Sequence, residues 1–281
     1  MAEILKGKPV ADTINGDLIT RVNMLKSQGI VPTLAVLRVG EKENDLSYER
    51  GAAKKCELIG IEFKSVALPA DVNEDVFFDV FEGLNEDDDI HGILMLRPLP
   101  KNIDEEKARR MLKPEKDVDG CTDASLAGVF TGNRTGYAPC TAQAAMEILD
   151  FYNVELKGKN VTVLGRSLVV GRPLAMMLMH RQATPTICHT HIVNPAGIAK
   201  NADIVIAATG QMESVGADYL REGQTVIDVG ISWNEEKQKL CGDVVFEEAE
   251  NVVAAITPVP GGVGAVTTSV LLSHVVEAAE K

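Results

Sequence analysis

The chain has 281 residues, enough for two modest domains. A 45% hydrophobic and 25% charged composition is that of a globular protein, and no apolar run approaches the ~18–20 residues that span a bilayer. With no such run, no membrane partner is expected, and the net charge of −13 repels nucleic-acid phosphates, so no nucleic-acid partner is expected either. Its 5 cysteines are odd in number, scattered and without a CxxC pair, which excludes both a disulfide framework and a zinc site. The N-terminus, MAEILKGKPV, sets Lys6 and Lys8 where a signal peptide would be apolar, so a cytoplasmic location is expected.

An amphipathic helix is expected from about Val10 to Ser27. Strand-like runs at Thr33–Val39, Glu62–Leu68 and Ile90–Leu96 then alternate with helix-like spacing at Leu46–Ile59 and Asn73–Leu84. Pro98-Leu99-Pro100 stops any regular element. A new cycle opens with a helix at Thr141–Phe151 and a strand at Val161–Leu164. Strands follow at Thr186–His189, Ile204–Ala208, Thr225–Val229 and Val253–Ile256. The last periodic segment, Thr267–Ala279, is helical and suits packing on either domain. The alternation predicts a two-domain α/β fold with parallel sheets. An N-terminal α/β domain would cover residues 1–140, and a Rossmann-type, doubly wound nucleotide-binding domain would cover 141–266. Residues 267–281 would pack back on the first.

The strongest local signal runs from the strand at Val161 into Gly165-Arg166-Ser167 and on to Gly171-Arg172-Pro173. A glycine turn there lets a pyrophosphate approach the backbone, with a helix N-terminus supplying donors. The spacing, G-x-S-x-x-x-G, is looser than GxGxxG, so a plain strand–turn–helix connection fits it equally. Two later strands also end in glycine, at Thr209-Gly210 and at Asp228-Val229-Gly230-Ile231. The carboxyl ends of such strands form the ligand crevice of a doubly wound sheet, although glycine also simply terminates strands. The second strand of this domain ends in Cys188-His189-Thr190-His191, without the carboxylate that usually holds an NAD ribose. With Arg166 in the turn, this favours NADP over NAD.

Other motifs are hard to explain as ordinary loops: Ser47-Tyr48, Arg97-Pro-Leu-Pro100, Lys116-Asp117-Val-Asp119-Gly120, Pro139-Cys-Thr141 and Thr257-Pro-Val-Pro260-Gly-Gly-Val-Gly264. Together with the Gly165 turn, and in this order, they resemble the methylenetetrahydrofolate dehydrogenase/cyclohydrolase family along nearly the whole chain. The resemblance implies a substrate domain followed by a Rossmann-type domain, a folate in the cleft between them, and a homodimer. It implies that Tyr48 and Asp119 are the catalytic and substrate-binding pair. Tyr48 would stack on the pterin, and Asp119 would accept from its polar edge. Pro98, Pro260, Gly261 and Gly262 would line the substrate site. Gly165, Arg166, Ser167, Gly171, Thr190, Thr209, Gly210 and Ile231 would hold the cofactor. Taken alone, Tyr48 is an amphipathic surface residue and Asp119 a turn residue before glycine.

The departures from the family pattern carry as much weight. Members with both activities have a lysine four residues after the tyrosine, where this chain has Ala52, and a glutamine two residues before Pro-Leu-Pro, where it has Leu96. Oxidising the methylene bridge needs only positioning and charge stabilisation, because the hydride leaves for the nicotinamide. Hydrolysing the methenyl product needs protons moved by side chains. A dehydrogenase of 5,10-methylenetetrahydrofolate with little or no cyclohydrolase activity is therefore expected. One rival is a bifunctional enzyme using Lys54, which at six residues from Tyr48 lies off its face of the helix. Another is a nucleotide-binding protein without chemistry. Cys121-Thr122-Asp123 replaces the usual Phe-His-Pro, and Ala142, Ala265 and Val266 also depart, changing the shape of the cleft.

Three other features are read as structural. His189 and His191 lack a third metal ligand, so no metal is expected. Cys140 is read as a buried thiol without an activating partner, and Glu86–Asp89 as a solvated turn.

Overall fold

The computed structural model describes residues 1–133 and 135–281. Its contacts divide the chain into one unit made of Thr13–Cys140 with Thr268–Lys281, and another made of Met1–Asp12 with Thr141–Thr267.

The chain opens with a two-residue strand, β1 (Glu3–Ile4), and helix α1 (Gly7–Ser27). The helix buries Leu18, Val22 and Leu25, the i, i+4, i+7 stripe of an amphipathic helix. It starts earlier than its apolar spacing predicts. Next come β2 (Thr33–Val39), α2 (Glu43–Ile59), β3 (Glu62–Leu68), α3 (Glu74–Glu86) and β4 (Gly92–Met95). The three strands form a parallel sheet in the order β3-β2-β4. Central β2 is buried along its whole length while β3 keeps exposed positions, as central and edge strands of a parallel sheet should. The side chains of Phe77 and Phe81 on α3 stack at 5.8 Å within this core.

Two short helices, α4 (Glu105–Met111) and α5 (Asp123–Thr131), fill a stretch that shows no clear period in sequence. Each is set by its N-cap. Asp104 accepts from the N–H of Lys107 at 3.0 Å, and Thr122 accepts from that of Ser125 at 3.1 Å.

The second sheet belongs to the other unit. After α6 (Cys140–Phe151), its elements run β5 (Asn160–Leu164), α7 (Gly171–His180), β6 (Thr184–Cys188), α8 (Pro195–Asn201), β7 (Ile204–Ala207) and β8 (Thr225–Asp228). An antiparallel hairpin, β9 (Ser232–Asn234) with β10 (Lys239–Cys241), precedes α9 (Phe246–Ala249), β11 (Ala255–Ile256) and α10 (Val263–Ala279). The strand order is β1-β11-β8-β7-β5-β6, all parallel. The chain winds from β5 outward to β6, then returns to lay β7 on the other side, so the switch point of this doubly wound sheet lies beside β5.

Two assignments in this unit go beyond the sequence reading. The first twelve residues belong here and not with the domain that follows them, because β1 pairs with β11 through Glu3↔Ala255 and Ile4↔Ile256. Helix α10 starts at Val263 and not at Thr267, so Val263 and Gly264 of the glycine-rich run form its first turn.

Candidate functional site

Helix α2 carries Tyr48, and a buried ion pair fixes its orientation. Glu49, the next residue, meets Arg38 of β2 at 2.7 Å and also accepts from Ser65 of β3. Such a pair is costly to break, because a lone charge would remain buried. Thr268 on α10 lies beside the Tyr48 hydroxyl and draws its pKa down. Burial first, then the neighbouring Cys140 and Asp119, push that hydroxyl well above its usual range, so it stays protonated.

Asp119 comes to the same place through the turn Lys116–Gly120, whose polar residues divide the work. Lys116 is buried and donates to the carbonyls of Leu84 at 3.4 Å and Asp87 at 2.6 Å, closing the C-terminal end of α3. Asp117, fully buried, accepts from the N–H groups of Cys121 and Thr122 and from the Ser125 hydroxyl, at 2.9, 2.8 and 2.6 Å. Gly120 has a φ of +68°, and a Cβ there would lie 2.5 Å from the Pro139 nitrogen. Only glycine lets this turn press against residues 137–139. Asp119 is thereby left to meet Arg97 at 3.3 Å, with the Cys140 thiol close by. Burial pushes its carboxyl up to about 6, against the opposing pull of Arg97.

Cys140 is buried, its Sγ 3.2 Å from the Val118 carbonyl and 3.8 Å from Nδ1 of His274. Nδ1 of His274 lies 2.8 Å from that same carbonyl, the geometry of a donated N–H, and its ring stacks on Tyr137 at 4.8 Å. Burial holds the thiol well above its ordinary pKa, which makes it a poor nucleophile.

The positions of the family lysine and glutamine are apolar in three dimensions too. Ala52, one turn along α2 from Tyr48, is 1% exposed. Leu96 is half-buried and donates its backbone N–H to Leu37 at 2.9 Å. Lys54 is exposed. Lys55, two turns from Tyr48 and on the same face, is half-buried and donates to Ser269 at 3.1 Å. Pro98 is exposed, and its carbonyl accepts from Lys42 at 3.1 Å.

In the other unit a cavity of about 520 Å³ opens at the carboxyl ends of β5, β6 and β7. Gly165, Arg166, Ser167, Thr190 and Thr209 line it. A Cβ on Gly165, at φ +131°, would lie 2.1 Å from the Ala208 carbonyl oxygen, and one on Gly171 would lie 2.1 Å from the Gly165 carbonyl oxygen. Both glycines are thus demanded by backbone packed on backbone, which sets the start of α7 against the turn. Ser167 accepts from the N–H of Val170 at 3.1 Å. Among the described residues lining the cavity, Arg166 is the guanidinium and there is no carboxylate. A glycine cradle, a helix N-terminus and a cation fit a dinucleotide phosphate.

Gly171 and Gly210 stand next to the lining and not in it. Ile231 lines a second cavity of about 270 Å³, together with Pro260, Gly261 and Gly262. A residue expected at the cofactor and three expected at the substrate therefore share one wall. His189 accepts from the backbone N–H of His191 at 3.1 Å, which occupies Nδ1 in a local turn. Among the described residues no cluster of three His, Cys, Asp or Glu forms a metal site.

Sequence reading missed two carboxylates that build this crevice. Asp243, 1% exposed, accepts from the N–H groups of Thr209 and Gly210 at 2.6 and 3.0 Å. Asp228 accepts from Gly230, Asp243 and Val244 at 3.0, 3.0 and 2.9 Å. Burial pushes Asp228 up to about 7 despite those donors. The available signal was Asp228 two residues before Gly230 at a strand end, and Asp243 directly after Gly242 beyond the hairpin.

A doubly wound parallel sheet with this crevice, joined to a second α/β unit, defines a two-domain nucleotide-binding enzyme. The comparisons with known proteins narrow that class. The model of the tetrahydrofolate dehydrogenase/cyclohydrolase catalytic domain matches residues 5–119, and that of the family's NAD(P)-binding domain matches residues 139–281. The bifunctional protein FolD of Clostridioides difficile is 48% identical over 276 residues, covering 98% of this chain and 96% of the relative. That of Carboxydothermus hydrogenoformans is 49% identical, with 100% and 98% covered. Among solved structures, the bifunctional enzyme FolD of Campylobacter jejuni superposes with a TM-score of 0.96 at 35% identity, covering 100% of this chain and 99% of that one. The Trypanosoma brucei enzyme, solved with NADP cofactor and an inhibitor, gives 0.93 at 35%, with 99% and 97% covered. The chain belongs to the tetrahydrofolate dehydrogenase/cyclohydrolase family and has its catalytic and NAD(P)-binding domains. Among the described residues, no helix is long and apolar enough to cross a membrane.

Proposed function

We propose that this enzyme oxidises 5,10-methylenetetrahydrofolate to 5,10-methenyltetrahydrofolate with NADP, and that it hydrolyses the product little or not at all. The observation that carries the reading is the pairing of Tyr48 and Asp119 beside an apolar Ala52, in a chain of this family. When bound, the nicotinamide supplies the hydride acceptor. Tyr48 offers an aromatic face to the pterin. Asp119, as an anion, accepts from the N–H groups of the pterin edge. The Gly165 turn and the start of α7 take the pyrophosphate, and Arg166 takes the 2′-phosphate that distinguishes NADP from NAD. None of these roles moves a proton, which suits oxidation and leaves hydrolysis without its general acid–base groups.

One observation favours a second, bifunctional reading. Lys55 brings an amine to the same side of α2 as Tyr48, and its partner Ser269 is next in sequence to Thr268 beside the Tyr48 hydroxyl. In the first reading that ammonium serves as a donor to Ser269 and shuttles no proton. Two assays decide. Reduction of NADP and of NAD with methylenetetrahydrofolate tests the dehydrogenase, and the absorbance decay of purified methenyltetrahydrofolate tests hydrolysis. Hydrolysis well above the uncatalysed rate, abolished by Lys55→Met, would establish the second reading.

A further inference from the structure

Arg97 has no part in the reaction as derived so far, yet its guanidinium touches the carboxylate on which substrate binding rests. Its Nη2 lies 3.3 Å from Oδ2 of Asp119, and its Nη1 lies 3.9 Å from Oε1 of Glu105. The other Glu105 oxygen accepts from the N–H of Leu99 at 2.9 Å, so the α4 carboxylate that faces the guanidinium is itself fixed to the loop after β4. The side chains of Arg97 and Asp119 are 22% and 28% exposed, partly shielded from water but open enough to meet a ligand.

We propose that Arg97 is a positioning residue, whose guanidinium holds Asp119 as an anion in one orientation so that the carboxylate can receive the pterin. The inference rests on the assignment of Asp119 as the pterin anchor. A carboxylate shared between a guanidinium and the amino-amide edge of a pterin must be ionised to accept from both. The other groups that face Asp119 do not supply that charge. Asp117 in the same turn is an anion and opposes ionisation, and Cys121, Cys140 at the start of α6, and Tyr48 on α2 are neutral. Burial already drives the carboxyl up to about 6 with the guanidinium present. Without it, only the nearby Cys140 thiol opposes desolvation and Asp117, and protonation moves toward neutral pH.

The test compares Arg97→Leu, Arg97→Gln and Arg97→Lys with the unaltered enzyme, measuring kcat and KM for methylenetetrahydrofolate between pH 6 and 9 at saturating dinucleotide. In the unaltered enzyme KM rises as pH falls toward 6. In Arg97→Leu and Arg97→Gln that rise begins about one unit higher, so KM increases about threefold near pH 6.5 and about fivefold at pH 6. At pH 9 it stays within about twofold, and kcat changes little because the lost interaction is uniform binding. Arg97→Lys restores most of the acid side. An unmoved acid limb, or a KM raised equally at every pH, overturns the proposal. Asp119→Asn is run alongside. If its KM equals that of the unaltered enzyme, the anchor assignment itself fails. If it binds folate poorly at all pH values while the Arg97 variants keep their acid limb, the anchor stands and only the role of Arg97 falls.

Discussion

The carboxylate of Asp243 accepts the backbone N–H of Thr209 at 2.6 Å, and it does so from beyond the hairpin that follows β8. One buried side chain thus sets the turn at the end of β7, where the dinucleotide crevice is lined by Thr209. Asp243→Ala leaves two amides without their acceptor. A loss of about 1–3 kcal/mol in stability is expected, with a several-fold rise in the dinucleotide KM. Asp243→Asn, which keeps a carbonyl for the same amides, should recover much of both. Thermal melts and steady-state kinetics on the pair check this, and an unaltered KM in Asp243→Ala would show that the turn does not depend on the bond.

Replacing Tyr48 separates its ring from its hydroxyl. Tyr48→Ala removes the stacking face and should raise the folate KM about tenfold or more. Tyr48→Phe keeps the ring and removes only the hydroxyl beside Thr268, and should stay within roughly threefold of the parent. Equal effects from both substitutions would move the functional weight from the ring to the hydroxyl.

The proposed preference for NADP rests on Arg166. Charge-assisted contacts to a phosphate contribute about 1.5–3 kcal/mol, so Arg166→Ala should raise the KM for NADP on the order of tenfold and leave that for NAD within about twofold. Parallel titrations with the two dinucleotides measure the ratio. If both rise together, the guanidinium binds the shared pyrophosphate, and the preference for NADP loses its basis.

If the proposed lack of hydrolysis follows from Ala52 and Leu96, a lysine and a glutamine placed there should raise it. General acid–base groups contribute typically 10²–10⁴-fold, so Ala52→Lys combined with Leu96→Gln should raise methenyltetrahydrofolate hydrolysis at least tenfold over the parent. Ala52→Lys alone should do less, and it should cost stability because the position is 1% exposed. No gain in the double variant would count against tying hydrolysis to these two positions.

What the sequence made legible followed length and period. Thr33–Val39 and Glu62–Leu68 are strands over the expected residues, because each is a run rich in apolar residues ended by turn formers. The two residues of β1 carry no period, and their partner β11 lies at the far end of the chain. Helices α4 and α5 span seven and nine residues and owe their places to caps at Asp104 and Thr122. At the site, the resemblance to the family pointed to Tyr48 and Asp119, but it could not divide labour within Lys116–Gly120. Asp117 and Lys116 are consumed by backbone groups far apart in sequence from one another. Nor could it foresee which lysine of α2 turns inward. Lys54 and Lys55 are neighbours in sequence, and about 100° of helical rotation separates exposure from the bond to Ser269.

The pairing of β1 with β11 means that no single cut in the polypeptide separates the nucleotide-binding unit from the rest. A fragment begun at Thr141 would leave β11 as a bare edge, with its outward N–H and C=O groups open to whatever extended chain came near. Proteolysis or truncation after Asp12 would therefore register as loss of solubility in the second half of the molecule, far along the chain from the residues removed.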